Sequence, residues 1–186
     1  MNHNPASPAV DDAAEGLNIQ AFLQQAVDHY PRLAVFSFTA LLPRSGSMTD
    51  NRALILRFHT KVRQRIGEYS WQRQQARRHS PPTILRWIWE PVGTAECKMV
   101  LLMNLNTLET VRDPSLIDSA LQEMNAIISD AWWTVAGVDN NITSMSSFII
   151  SRSEKNAFSV PFGRLKAGMD NMVPPVITAR TGVICP

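Results

Sequence analysis

Apolar residues recur along this chain with two different spacings, and the spacing assigns most segments to a helix or a strand. Three segments with near-helical spacing are predicted helices: residues 17–30, 51–78 and 114–134. Short runs rich in β-forming residues predict three strands: residues 33–42, 83–91 and 96–105. Beyond Gly137 the pattern predicts only a short strand at 146–151, a helical turn at 162–168 and an extended tail.

The order of these segments predicts an α+β fold, in which an antiparallel sheet has helices packed on it. Only a short turn at residues 92–94 separates the second and third strands, so they should form a hairpin. A chain of 186 residues is the size of one domain. We expect this domain to span residues 17–186, after a polar, proline-containing leader at 1–16 that should be flexible.

The helix predicted at 51–78 is amphipathic. Thr49 or Asp50 is its expected N-cap, and its apolar stripe should consist of Leu54, Leu56, Phe58, Val62, Ile66 and Tyr69. The helix predicted at 114–134 starts with Asp113 and Pro114, a cap followed by a proline in the first helical position. Trp87 and Trp89 share one strand face and Trp132 ends the amphipathic helix, so these three tryptophans should lie in the core.

Charge is distributed unevenly. The net charge is +2, but residues 52–78 contain eight basic residues and one acidic residue, a local charge of +7. This asymmetry favours a surface that binds a polyanion, and the alternative interpretation is a solvated helix face. The candidate nucleic-acid-binding residues on this helix are Arg63, Arg73, Arg77, Arg78 and Trp71, the only tryptophan that we expect to be exposed enough to stack on a base.

Catalytic signatures are missing from the sequence. It contains no phosphate-binding glycine loop, no G-x-S-x-G and no H-E-x-x-H. The two cysteines, Cys97 and Cys185, cannot build a disulfide framework, and all histidines and tyrosines lie within the first 79 residues. We therefore predict no cofactor and no metal. The sequence has neither a secretory signal nor an apolar segment of bilayer length, which favours a soluble cytoplasmic protein.

Several segments, taken in order and spacing, carry a family resemblance. HYPRLAVFSF, DNRALILRFHTKVRQRI, TILRWIWEP, ECKMVLLMN and the pair Ala131-Trp132 resemble the inovirus-type replication initiation family, which includes prophage proteins. The resemblance covers about residues 28–133 and extends loosely to Arg180, Thr181 and Gly182. It implies a fold like that of the HUH endonucleases. In those enzymes a His-x-His pair helps to hold a metal and a tyrosine attacks a phosphodiester.

The chain departs from this family at each catalytic position. Glu96 and Lys98 stand where the resemblance implies the two histidines, and a protonated lysine cannot ligate a metal. Ser37 or Thr39 matches the acidic residue expected on the first strand. Phe162 and Gly163 stand where the tyrosine is expected. The resemblance therefore implies a scaffold without its endonuclease chemistry.

Three hypotheses follow. The first is a prophage or mobile-element protein that binds nucleic acid, DNA rather than RNA, through the basic helix, with Lys98 placed where the metal once met the phosphate. The second is a protein–protein interaction module that inhibits or adapts a host defence or replication factor. The third is a residual metal-dependent nickase, for which Glu96, Tyr69 and Cys97 are the only candidates.

Overall fold

Helices and strands alternate irregularly along the chain. The computed structural model describes residues 11–44, 47–90, 95–137, 141–153, 155–170, 172 and 176–182. The helices are α1 (Asp11–His29), α2 (Met48–Gln75), α3 (Leu105–Leu108), α4 (Pro114–Ala136) and α5 (Lys155–Asp170). The strands are β1 (Arg32–Leu41), β2 (Thr83–Trp89), β3 (Glu96–Asn104), β4 (Ile142–Ser151) and β5 (Val176–Gly182).

The strands form one antiparallel sheet in the order β4-β1-β3-β2-β5. Its centre is the long pairing of β1 with β3, which runs from Leu33 opposite Asn104 to Leu41 opposite Glu96. The predicted α+β class, with helices packed on an antiparallel sheet, is confirmed. The hairpin of β2 and β3 is also confirmed, while its turn at 92–94 lies outside the described residues.

One face of the sheet packs against α2 and α4. Side chains at alternate strand positions enter this core, as the pleat of a strand requires. Trp87 and Trp89 on β2 and Trp132 on α4 are all buried here, as predicted. Phe58 of α2 lies edge-on to Trp132, with the ring centroids 5.1 Å apart.

The opposite face of the sheet packs against α1 and α5. Its core contains Val100 and Leu102 of β3, together with Val27 of α1 and Leu165 of α5. The sheet therefore has a helical layer on each side, and successive residues of β3 belong to different layers. Arg86 is an exception to the apolar pattern of β2, since it is only 4% exposed and burial lowers the pKa of its guanidinium.

The N-terminus of α2 differs from the prediction by a few residues. Ser47, rather than Thr49 or Asp50, is the N-cap. The Ser47 hydroxyl accepts a hydrogen bond from the Asp50 backbone N–H, and the Asp50 carboxylate accepts one from the Ser47 N–H. This reciprocal pair is a capping box with Asp50 in the N3 position. The stripe of α2 also differs, because Ile55 is fully buried and Leu56 only partly.

The ends of the chain are more regular than the sequence predicts. Helix α1 begins at Asp11, so residues 11–16 of the predicted leader are helical, and residues 1–10 lie outside the described part. The predicted helical turn at 162–168 belongs to α5, and the tail contributes β5 as an edge strand. Asp113 caps α4 with Pro114 in the first turn, as predicted. Among the described residues, no helix has the length and apolarity needed to span a membrane.

Candidate nucleic-acid interface

The C-terminal end of α2 closes with a hydrogen-bonded cap that places arginines at its tip. The Arg77 N–H donates to the Gln74 carbonyl and the Arg78 N–H donates to the Arg73 carbonyl, which together form a Schellman motif. Arg77 has a φ of 56°, in the left-handed region where glycine is usually found. The chain therefore keeps an arginine where glycine would relieve backbone strain, which is a pattern associated with functional sites.

Arg73 differs from its neighbours because it lies inside the molecule. Its side chain is 8% exposed, and its Nη2 is 3.6 Å from Oε2 of Glu109, whose side chain is 11% exposed. The guanidinium also lies 5.8 Å from the ring centroid of Tyr69. Arg73, predicted as a nucleic-acid ligand, is thus a paired structural cation, and its charge is largely offset by Glu109.

A groove of about 400 Å³ opens beside this helix end. We call it the basic groove, and its lining consists of Arg73, Arg77, Arg78, His79, Glu109, Thr110, Val111 and Leu116. The lining contains three arginines against one carboxylate, which gives it a net positive charge. Arg77 and Arg78 are exposed, and between described residues neither forms an ion pair. Two arginines are therefore available to an anionic ligand here.

The far wall of the basic groove is the segment 109–113, which connects α3 to α4. Arg32, buried at the start of β1, holds this segment in place by hydrogen bonds. Its Nη1 donates to the carbonyls of Glu109 at 3.4 Å and Thr110 at 3.2 Å, and to Oδ1 of Asn106 at 2.9 Å. The Glu109 carboxylate also accepts a hydrogen bond from the Val111 N–H at 3.0 Å. These contacts fix the segment and leave Val111 and Arg112 exposed at its crest.

A second pocket of about 210 Å³ lies on the other side of the same segment. Its lining includes Arg32, Arg112, Asp118 and Ser151. Burial, followed by the nearby Arg112 cation, lowers the pKa of the Arg32 guanidinium, and the Glu109 carboxylate partly opposes this shift. The second pocket is therefore also positive, with two arginines against one aspartate.

The other predicted residues of α2 do not join this groove. Arg63 is partly buried and lies 12 residues before the end of the helix, which is about 18 Å along its axis. Trp71 is 52% exposed, as predicted, but does not line the groove. The prediction that it is the only exposed tryptophan is wrong, because Trp133 on α4 is also 52% exposed.

Lys98 and Glu96 lie far from the basic groove, on the opposite face of the sheet. They alternate along β3 with Cys97 and Met99, which face α2 and α4, so both point to the layer of α1 and α5. Lys98 Nζ is 3.9 Å from Oε1 of Glu90, and the Lys98 N–H donates to Oε2 of the same carboxylate at 3.4 Å. Lys98 therefore cannot extend the surface of the basic helix.

The strand pairing does bring the predicted degenerate metal-site positions together. Thr39 of β1 is directly opposite Lys98, and Ser37 is opposite Val100, two residues further along β3. Helix α5, which carries Phe162 and Gly163, packs on the same face. We call Ser37, Thr39, Glu90, Glu96 and Lys98 the sheet patch. Among described residues, no three His, Cys, Asp or Glu side chains are grouped closely enough to hold a metal ion.

The three candidates for residual nuclease chemistry are separated in space. Tyr69 is buried near the basic groove and its hydroxyl donates to the Leu108 carbonyl at 3.3 Å. Burial, followed by the Glu123 charge, raises the pKa of this phenol. Cys97 is buried in the core, where desolvation raises the pKa of its thiol to about 12. Glu96 lies on the opposite face, so these groups form no common site.

The sequence did not indicate that His79 lines the basic groove or that Arg32 and Arg112 line the second pocket. Arg112 is isolated in the sequence and lies outside the basic stretch at 52–78. The segment that carries it is joined to α2 by the contact of Glu109 with Arg73, residues 36 positions apart. The only local signal in this segment was the pair Asp113 and Pro114, which indicated where the segment ends and α4 begins.

A family model matches residues 10–145, which is most of the chain. The chain therefore belongs to the family described as Uncharacterised conserved protein UCP030791. The matched region includes the basic groove, the segment 109–113 and all of β1, β2 and β3, but not α5. No curated protein and no solved structure matches this chain.

Proposed function

We propose that this member of the family is a DNA-binding protein of a prophage or mobile element, which acts in the cytoplasm and uses the basic groove to hold the phosphate backbone. The observation that carries the proposal is the pair Arg77 and Arg78, exposed at one groove and without an ion-pair partner among described residues. Arginine binds phosphate with two parallel hydrogen bonds, so such a pair suits a backbone ligand.

The backbone strain at Arg77 supports a binding role for this end of the helix. A left-handed non-glycine residue costs backbone strain relative to glycine, and such residues are enriched at functional sites. Arginines at a helix C-terminus also stabilise the helix dipole. That effect does not require the left-handed position to be arginine, because Arg73 and Arg78 already surround the helix end.

The replication-initiator resemblance supplies the second part of the proposal. We infer that the chain uses an HUH-like scaffold whose endonuclease chemistry has been lost. The support is the sheet patch, because it gathers the substituted positions Glu96, Lys98 and Thr39 on the face that also carries α5. Its lysine is paired with Glu90 and stands in place of a ligand, so this scaffold would act by binding alone.

A salt titration tests the DNA-binding proposal. The logarithm of the binding constant for a labelled 20-base-pair DNA should fall linearly with log[salt]. The double variant Arg77→Ala/Arg78→Ala should reduce the slope by about two and the affinity by at least tenfold, because each arginine replaces about one phosphate counterion. Binding that is undetectable, or that does not depend on salt, would contradict the proposal.

The matched control is Arg52→Ala/Arg57→Ala. It removes the same two charges from exposed positions of the same helix, outside the groove. If the loss is specific to the groove, this control should reduce affinity much less than the groove variant. Equal losses in both variants would show a diffuse effect of charge on the whole helix.

A protein partner is the second candidate, and the exposed apolar side chains in the groove favour it. Val111 is 52% and Leu116 is 46% exposed, beside the arginines, which suits an acidic peptide with an apolar anchor. Pull-down from host lysate with and without nuclease separates the candidates. Partners that disappear on nuclease treatment support DNA binding, and a protein retained at a fixed ratio supports the interaction module.

A further inference from the structure

We infer that Arg112 and the second pocket form an additional phosphate site of the same interface, so that the ligand crosses the segment 109–113 and contacts pockets on both sides. This inference rests on the proposed function, since it extends the DNA contact beyond the basic groove. It assigns a role to a residue that lies outside the basic stretch of the sequence.

The arginines around the segment 109–113 differ in burial and in their contacts, and this difference supports the inference. Arg73 and Arg32 are both buried, and both contact Glu109: Arg73 through its carboxylate and Arg32 through its backbone carbonyl. These two arginines hold the segment from its two sides, and their guanidinium groups are engaged in contacts with it. Arg112, at the crest, is exposed and forms no ion pair with a described residue.

The shape of the surface favours a polymer over a single phosphate. The basic groove and the second pocket lie on either side of the same short segment, and each is lined by arginines in excess of its one acid. A lone anion can occupy only one of them. A chain of phosphates can occupy both, and Val111 at the crest offers it an apolar contact between them.

An acidic residue of the second pocket provides a further test of the inference. Its removal should increase DNA affinity, whereas removal of Arg112 should decrease it. Asp118 lines this pocket, is exposed, and repels a phosphate bound there. Asp113 is already engaged, because its carboxylate accepts hydrogen bonds from the N–H and hydroxyl of Ser115. Removing the charge of Asp118 should therefore increase the affinity for DNA. If the second pocket had only a structural role, this substitution would not increase the affinity.

The experiment compares Arg112→Ala and Asp118→Asn with Arg78→Ala on labelled DNA oligonucleotides of increasing length. For long oligonucleotides, Arg112→Ala should lower the affinity about as much as Arg78→Ala and reduce the salt slope by about one. Asp118→Asn should raise the affinity about two- to fivefold, by removing one unfavourable charge interaction. Oligonucleotides too short to reach both pockets should be insensitive to one of the two arginine variants.

The outcomes separate this inference from the proposed function. If Arg78→Ala loses affinity while Arg112→Ala and Asp118→Asn match the wild type, the second pocket is not used and the inference is overturned, although the proposed function survives. If the wild-type protein binds none of the oligonucleotides, the proposed function itself fails. Thermal melting of each variant excludes loss of folding as the cause, and Arg112→Lys, which keeps the charge, should retain most of the salt slope.

Discussion

The basic groove and the sheet patch lie at opposite ends of β3 and on opposite faces of the sheet. They differ in which of their cations have an ion-pair partner. In the basic groove, the buried Arg73 is neutralised by Glu109, while Arg77 and Arg78 stay exposed at the rim. In the sheet patch, the cation Lys98 is itself paired with Glu90. Six residues of strand, about 20 Å, separate Lys98 from Asn104, where β3 ends beside the groove.

A count of basic residues along α2 therefore does not locate a binding surface. Arg65 is one of the eight cations between residues 52 and 78, yet it lies 2.8 Å from Asp130 of α4 and 3.5 Å from Glu68. What matters is which cations lack a partner and share a concave surface. By that criterion the groove is the candidate interface, and the sheet patch is a paired polar surface.

The largest expected effect concerns Cys97, which lies between Glu96 and Lys98 but faces the core. With a pKa of about 12 instead of 9.0, its thiolate fraction at pH 8 is roughly 1000-fold lower. In a Cys185→Ser variant, labelling by a thiol reagent should be slower by about a hundredfold or more in the native state than after unfolding, because Cys97 is both protonated and buried. Fast native labelling would contradict the burial of Cys97 in the core between β3 and the layer of α2 and α4.

The next effect concerns the buried pair beneath the basic groove. Arg73→Met leaves the Glu109 carboxylate buried without its cation, so we expect the free energy of unfolding to fall by about 3 kcal/mol in urea denaturation. Arg78→Met, at an exposed position, should change it by less than about 0.5 kcal/mol. The double variant Arg73→Met/Glu109→Gln should recover much of the loss, because no uncompensated charge remains. Equal stability of the two single variants would contradict a structural role for Arg73.

A smaller effect, with opposite signs for stability and binding, is expected at Arg77. Arg77→Gly should raise the free energy of unfolding by about 1 kcal/mol, because glycine adopts a φ of 56° without strain. It should also weaken DNA binding by about tenfold, through loss of one charge-assisted hydrogen bond. Arg77→Ala removes the same cation but keeps the strain, so it should weaken binding equally without the gain in stability. If both variants bind DNA like the wild type, Arg77 has no role in the interface.

The smallest effect is expected in the sheet patch. Because Lys98 is paired with Glu90 and lies on the other face of the sheet, Lys98→Ala should change DNA affinity by less than about twofold. Lys98→Glu is the stricter test, since it reverses the charge. A large loss of affinity in either variant would move the interface to the sheet patch and restore the role that the sequence resemblance suggests for Lys98.

Local patterns in the sequence predicted the sheet and the long helices, because period and capping depend on neighbouring residues. The alternation that assigned Trp87 and Trp89 to one face of β2 is a property of any strand. The burial of Arg73 also follows a local rule, since it continues the helical spacing of Ile66 and Tyr69. The prediction instead grouped Arg73 with its charged neighbours by composition.

The composition of the site was not predictable in the same way. Arg112 and Arg32 line the second pocket together, and Arg32 contacts the segment 109–113, through tertiary contacts that no local signal in the sequence encodes. The left-handed conformation of Arg77 was equally hidden, because the sequence there lacks the glycine that usually marks such a cap. That Lys98 and α2 lie on different faces of the sheet could not be seen in the sequence, because the faces of β3 can be related to α2 only through the packing of both layers.

The most direct test of the central claim is an NMR titration of the ¹⁵N-labelled protein with a short DNA duplex. If DNA binds in the basic groove, shift changes should cluster at the backbone amides of residues 73–79 and 109–116, with little change at 37–39 and 96–98. Changes concentrated at 37–39 and 96–98, with residues 73–79 unaffected, would contradict it and place the ligand on the sheet patch.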